Sequence, residues 1–220
     1  MQITLGLPEP REFSSLPRLR LVQSGIKREY SQHSPLSDRV RLPITPTILK
    51  RIRMHWSERS SDRDIIMLWA AAVLCFFGFF RAGELTLSAQ NAYDSNKHLS
   101  WGDVAIDNPQ CPKTLKIRLK SSKTDQLGKG ADIFISKTGC TLCPIAGVLA
   151  YMAVRGSDKG PFFKFGNGQA LTKSQFTHHV RLALQAVGLP YQSFRIGAAT
   201  TVARAGIYRG LHNSYIREVE

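Results

Sequence analysis

The sequence predicts an α+β fold, mostly α, with a small three-stranded antiparallel sheet. Three observations carry this. Sixteen consecutive apolar residues, Ile65–Phe80 (IIMLWAAAVLCFFGFF), read as a fully buried helix. Leu115, Ile117 and Leu119 alternate with Lys116, Arg118 and Lys120, which is the period of a half-exposed strand. Helical patterns with capping signals then return on the C-terminal side of that strand.

Taken in order, residues 15–32 carry Leu16, Leu19, Val22 and Ile26 on one helical face. A single helix cannot bury a core, so residues 1–33 read as the remnant of an N-terminal helical domain. Residues 34–45, polar and Pro-flanked, read as a linker. The folded domain is then 46–220. Thr45-Pro46 is a helix start, an N-cap followed by Pro at the first helical position. That helix runs to about Trp56 and presents Lys50, Arg51 and Arg53. The buried helix follows from Asp62 to about Phe80. It is shorter than the ~18–20 apolar residues a bilayer span needs and is bounded by Arg63, Asp64 and Arg81, so a soluble core is predicted and no membrane partner.

Strands are expected near 103–106, 115–119 and 133–136, with SSKTDQLGKGAD as the polar loop between the last two. A helix covers about 144–154, and PFFKFGNGQAL is a short extended or hairpin element with Gly-Asn-Gly at its tip. Thr172 and Gln175 form a capping box for a helix to about Val187. A helix over 194–204 closes at Gly206, and a short final helix is expected over 214–220.

The chain has 220 residues, 30 Lys and Arg against 16 Asp and Glu, and a formal net charge of +14. Its 43% hydrophobic content excludes a disordered or collagen-like chain. The charge points to a polyanionic partner, nucleic acid first. Residues 1–60 carry a net of +6, and residues 113–129 a net of +5 with Asp125 as the one acid. A strand with every second residue cationic offers a face that tracks phosphates. Removal of Lys116, Arg118 and Lys120 is expected to lower the salt dependence of binding by roughly 2–3 units. The four cysteines, Cys75, Cys111, Cys140 and Cys143, suit a reducing compartment. Cys140 and Cys143 are spaced CxxC without a second pair, and ordinary packing at a turn and helix start accounts for them. No metal or cofactor is expected.

Two arginines stand out. Arg81 directly follows the apolar run, where a cation needs a partner or a function, and Glu84 is placed to pair with it. Arg195 opens a helix rich in Gly, Ala and Thr, whose small residues allow tight packing and a rigid guanidinium. Two rigid arginines can clamp a phosphate.

Four blocks in order, FFGFFRAGEL, the basic hairpin with SSKTDQ, SFRIGAATT and SYIR, resemble the tyrosine recombinases over roughly residues 43–220. The likeness is greatest to the integrase-like recombinases of eukaryotic mobile elements. The resemblance implies a recombinase catalytic domain, with Arg81 and Arg195 as the active-site arginines and Glu84 supporting the first. It implies Lys123 as the hairpin lysine and Tyr215 as the nucleophile. It also implies double-stranded DNA as partner, further copies of the chain assembled on that DNA, and a nuclear location. In that family the tyrosine forms a 3′-phosphotyrosine and frees a 5′-hydroxyl, the arginines stabilise the pentavalent phosphate, and no metal is used.

Two departures predict impaired chemistry. Gln192 stands where the family carries the His of HxxR, and glutamine cannot exchange a proton near neutral pH. Only Ile207–Ser214 separates Gly206 from Tyr215, a connection too short for the usual second phosphate-contacting His or Trp. Tyr215 is therefore expected to point away from the arginines or to sit in a mobile tail. The other reading is a catalytically inactive DNA-binding relic or domesticated domain.

Overall fold

The computed structural model describes residue 22 and residues 42–58, 62–121, 129–190 and 192–204, with 42, 192, 193, 195, 196, 200, 203 and 204 described by backbone alone. Apart from residue 22, all of these belong to the larger of the chain's two units, Arg41–Glu220. Of the expected helix over 15–32 only Val22, helical and exposed, is described; the closing Gly206 and the final helix lie outside the described residues.

The fold is α+β, mostly helical, with a small three-stranded antiparallel sheet. Helix α1 (Pro46–Ser57) starts as predicted, with the Ile48 amide donating to Thr45 Oγ1 and Pro46 in the first turn. It buries Leu49, Ile52 and Trp56. Helix α2 (Arg63–Phe77) begins at Asp62, whose carboxylate accepts from the Asp64 amide at 2.9 Å. Every residue from Met67 to Phe76 is buried, so α2 is the axis of the core. A helix apolar all round must be covered on all sides. Helices α4 (Pro144–Arg155) and α6 (Phe194–Arg204) do much of this. Gly147 lets α4 approach closely, because a β-carbon there would lie 3.1 Å from Val73 and 3.4 Å from Trp69.

The apolar run does not stay helical to Phe80. It stops at Phe77, and Gly78 closes the last turn with its amide on the Leu74 carbonyl at 2.9 Å. Phe79 then takes φ +54°, the left-handed region that a β-carbon disfavours. That reversal sends Phe80 back into the core and leaves Arg81 half-exposed. Gly78 is required here, since a β-carbon would collide with the Phe80 ring and meet Ile135 at 3.0 Å. The four-residue helix α3 (Ala82–Leu85) follows at once.

Strands β2 (Val104–Ile106), β3 (Thr114–Leu119) and β4 (Ala131–Ser136) pair in that order, antiparallel. Lys116 lies opposite Phe134, and Arg118 opposite Asp132. Leu115, Ile117, Leu119, Ile133 and Ile135 face the core. The PFFKFGNGQAL segment is the expected hairpin, with Lys164 bridging Ala170. It leads into helix α5 (Lys173–Ala186), whose Thr172–Gln175 capping box forms as read.

The linker expected over 34–45 does not extend to 45. Leu42–Pro43 form strand β1, paired parallel with β5 (Gln192–Ser193), and Ile44 is fully buried. Helix α6 packs on this strand so closely that a β-carbon on Gly197 would collide with the Ile44 backbone. The small residues of the SFRIGAATT block serve that approach.

Candidate nucleic-acid interface and phosphate site

Arg81 is positioned by a reciprocal cap at the start of α3. Its amide donates to Glu84 Oε2 at 2.8 Å, and its guanidinium donates to Glu84 Oε1 at 2.8 Å. Glu84 is 10% exposed and Arg81 36%. The carboxylate is therefore sunk against the fold, while part of the guanidinium fork remains open to solvent. A guanidinium has five donors, and one suffices for this bond. Arg81 is thus a fixed cation with donors left for an oxyanion.

Helix α5 lies alongside. A β-carbon on Gly83 would stand 3.7 Å from Lys173 Cδ, in the first turn of α5. Phe176, in that same turn, stacks on Phe194 with ring centroids 5.9 Å apart. Phe194 opens α6 and immediately precedes Arg195. Gly83 of α3 and the ring of Phe194, which opens α6, therefore both lie against the first turn of α5. Lys173 joins this neighbourhood, and its position could be read only from the fold. Lys123 and Tyr215 lie outside the described residues.

The basic strand face differs from its sequence reading. Lys116 and Arg118 do point outward, but Asp132 on the facing strand pairs with both, at 2.8 Å and 3.3 Å. Lys120, just past the end of β3, is also neutralised. Its ammonium meets Asp103 at 2.5 Å, the Ser95 carbonyl at 2.8 Å and Ser100 Oγ at 3.1 Å. Counting acids along residues 113–129 alone missed both partners, because Asp103 and Asp132 lie outside that window. What remains is a shallow depression of about 360 Å³, lined by Gly102, Asp103, Ala105, Lys116, Arg118 and Asp132. Phe134, 57% exposed, stands beside it with the Lys116 ammonium 5.9 Å from its ring.

Lys116 holds the Asp132 carboxyl below the usual carboxylate range; slight burial opposes this and Arg118 adds to it. A lowered folded-state value means that the pairing is present above the ordinary carboxylate pKa. It is lost only as pH falls through the lowered one. Acidification from neutrality to about pH 5 therefore leaves Lys116 and Arg118 paired. Asp132→Asn removes this neutralising charge at any pH, while Arg118 still donates to the Lys129 carbonyl at 2.8 Å. That variant is expected to bind duplex DNA more tightly and to steepen the log K against log salt slope by about 1–2 units, as read by fluorescence anisotropy over a salt series.

Helix α1 presents a second basic face. Arg53, expected there, instead lies over the Trp69 ring at 5.0 Å. Lys50 and Arg51 remain exposed beside Thr47 and Met54. The double variant Lys50→Ala/Arg51→Ala is expected to reduce the same slope by about 2 units, close to 0.9 per lost phosphate contact. An unchanged slope would remove α1 from the interface.

Among the described residues no cluster of three or more His, Cys, Asp or Glu could hold a metal ion. No helix among them is long and apolar enough to cross a membrane. No protein-family model matches the chain, and a search of curated proteins finds no match.

Proposed function

We propose that this chain binds double-stranded DNA and cuts and rejoins its strands as a tyrosine recombinase, in the integration or recombination of a mobile element in the nucleus. The observation that carries the reading is Arg81: a half-exposed guanidinium, held by Glu84, at the exit of the buried helix. The small antiparallel sheet that follows it and the packing of Phe194, the residue before Arg195, on the first turn of α5 support the same reading, as does the order of the four sequence blocks.

In this reading Arg81 and Arg195 neutralise the charge that builds on the phosphate as it becomes pentavalent. Tyr215 gives its phenolic proton to water and attacks the phosphorus through that oxygen, the bond to the 5′-oxygen breaks, and a 3′-phosphotyrosine forms. Lys123 gives its proton to the leaving 5′-oxygen. The covalent link conserves the phosphoester, so a second strand's 5′-hydroxyl can reverse the step without ATP. Gln192 cannot relay a proton, and such a loss costs about 10²–10⁴-fold in rate. The same residue favours the second reading, a DNA-binding protein without strand-transfer activity. The two readings agree on salt-dependent DNA binding. They part on a nicked suicide duplex, where only the first leaves protein covalently joined to DNA.

A further inference from the structure

Cys140 and Cys143 have no part in the proposed strand transfer. They sit in the connection between β4 and α4. The Cys143 amide donates to the Cys140 carbonyl at 3.0 Å. A four-residue turn closed this way brings its outer α-carbons within about 7 Å, close to the roughly 4.4–6.8 Å that a disulfide spans. Thr138 Oγ1 lies 3.3 Å from Cys140 Sγ.

The two thiols differ in the way an exchanging pair requires. Cys140 is exposed, whereas Cys143 is 6% exposed and occupies the N-cap position of α4. Pro144 follows it at the first helical position and supplies no N–H.

We propose that Cys140 and Cys143 form a reversible disulfide by exchange with a small disulfide of the glutathione class. The Cys140 thiolate attacks one sulfur of the small disulfide, forming a mixed disulfide and expelling one small thiolate. The Cys143 thiolate then attacks Cys140 Sγ, forming the internal bridge and expelling the second. Two protein thiols are oxidised, one small disulfide is reduced to two thiols, and the two protons released from the cysteines end on those thiols. Burial alone would oppose a Cys143 thiolate. The amides of Ala146, Thr138 and Ile145 and the Thr138 hydroxyl outweigh it and hold the thiol below its ordinary pKa. Cys75, buried in α2, has its thiol pushed far up by burial and then by Glu84, so it stays protonated and unreactive. Cys111 is exposed and provides an internal comparison.

The test treats the full chain with oxidised glutathione, blocks residual thiols with iodoacetamide and maps the peptides by mass. The expected result is a loss of two hydrogens from the peptide carrying residues 140–143, with no glutathione on it, while Cys111 retains glutathione. In Cys143→Ser, glutathione should stay on Cys140. Glutathione persisting on Cys140 in the unaltered chain, or a bridge to Cys111 in place of Cys143, would overturn the proposal. The unaltered chain alone decides between these outcomes, so the test stands even where the serine variant folds poorly. The inference is independent of the strand-transfer reading.

Discussion

Arg81→Ala is expected to lower the rate of covalent capture on a nicked suicide duplex by about 10²–10³-fold, the usual effect of removing one fixed donor from a developing oxyanion. Affinity for the same duplex should change little, because one phosphate contact among many shifts the salt slope by about 0.9. This separation is the signature of a group that acts on the reacting phosphate. Glu84→Gln keeps the shape of the cap but weakens its charge-assisted bond from Arg81. It should fall between the alanine variant and the unaltered chain. Capture that is unaffected by Arg81→Ala, measured as the initial rate of appearance of the protein–DNA band, would make Arg81 a helix-capping residue and nothing more.

Arg155→Ala is expected to cost about 3–5 kcal/mol of stability, the largest effect foreseen for any single side chain in the fold. Arg155 is 3% exposed. Its guanidinium donates to the carbonyls of Phe162 (2.7 Å), Gly156 (2.8 Å), Asp158 (3.0 Å) and Pro161 (2.7 Å). It also lies against Trp101 and Phe162, at 5.1 and 5.8 Å from their ring centroids. Bonds to a charged donor contribute about 1.5–3 kcal/mol each. Among the described residues, Phe162 is the one of the four carbonyls that keeps another donor, the Tyr151 hydroxyl at 3.0 Å. The loop around Arg155 leads through the 161–171 hairpin to Thr172, the cap of α5. Its loosening should therefore also reach the turn beside Arg81. Arg155→Lys retains the charge without the planar fork and should recover part of the loss. Denaturant unfolding reads both variants. A loss under about 1 kcal/mol for the alanine variant would mean that water replaces the guanidinium at little cost.

Arg155 shows where sequence reading stops. Beyond the Asp158 carboxylate at 3.6 Å, which its spacing does announce, its partners are carbonyls of the loop that follows, and no residue type in that loop announces them. The ion pairs of the sheet are similar. Lys116, Arg118 and Lys120 are legible as a cationic alternation, but their neutralisation depends on strand register and on a turn before β2. The β1–β5 pairing is hidden for a related reason: two residues at each end of the folded unit have no period to detect. Phe79 in the left-handed region is masked by its neighbours, since an unbroken apolar run reads as one helix. By contrast, local chemistry announced much else. Thr45-Pro46, the Thr172–Gln175 box, the β3 alternation and the Arg81–Glu84 pair each depend on residues within four positions of one another, and each formed as read. The packing of α3 and of Phe194 on the same turn of α5 required the tertiary fold.

The most direct measurement of the proposed function is a time course on a 5′-labelled, nicked suicide duplex in the presence of a chelator, comparing the unaltered chain with Tyr215→Phe and Gln192→His. The expected result is a covalent protein–DNA band that forms slowly in the unaltered chain, is absent in Tyr215→Phe, and forms at least about 10²-fold faster in Gln192→His, where a proton-relaying side chain is restored. No band from either the unaltered chain or Gln192→His, with DNA binding intact in both, would contradict strand transfer and leave a DNA-binding protein. A band that persists in Tyr215→Phe would contradict the assignment of the nucleophile.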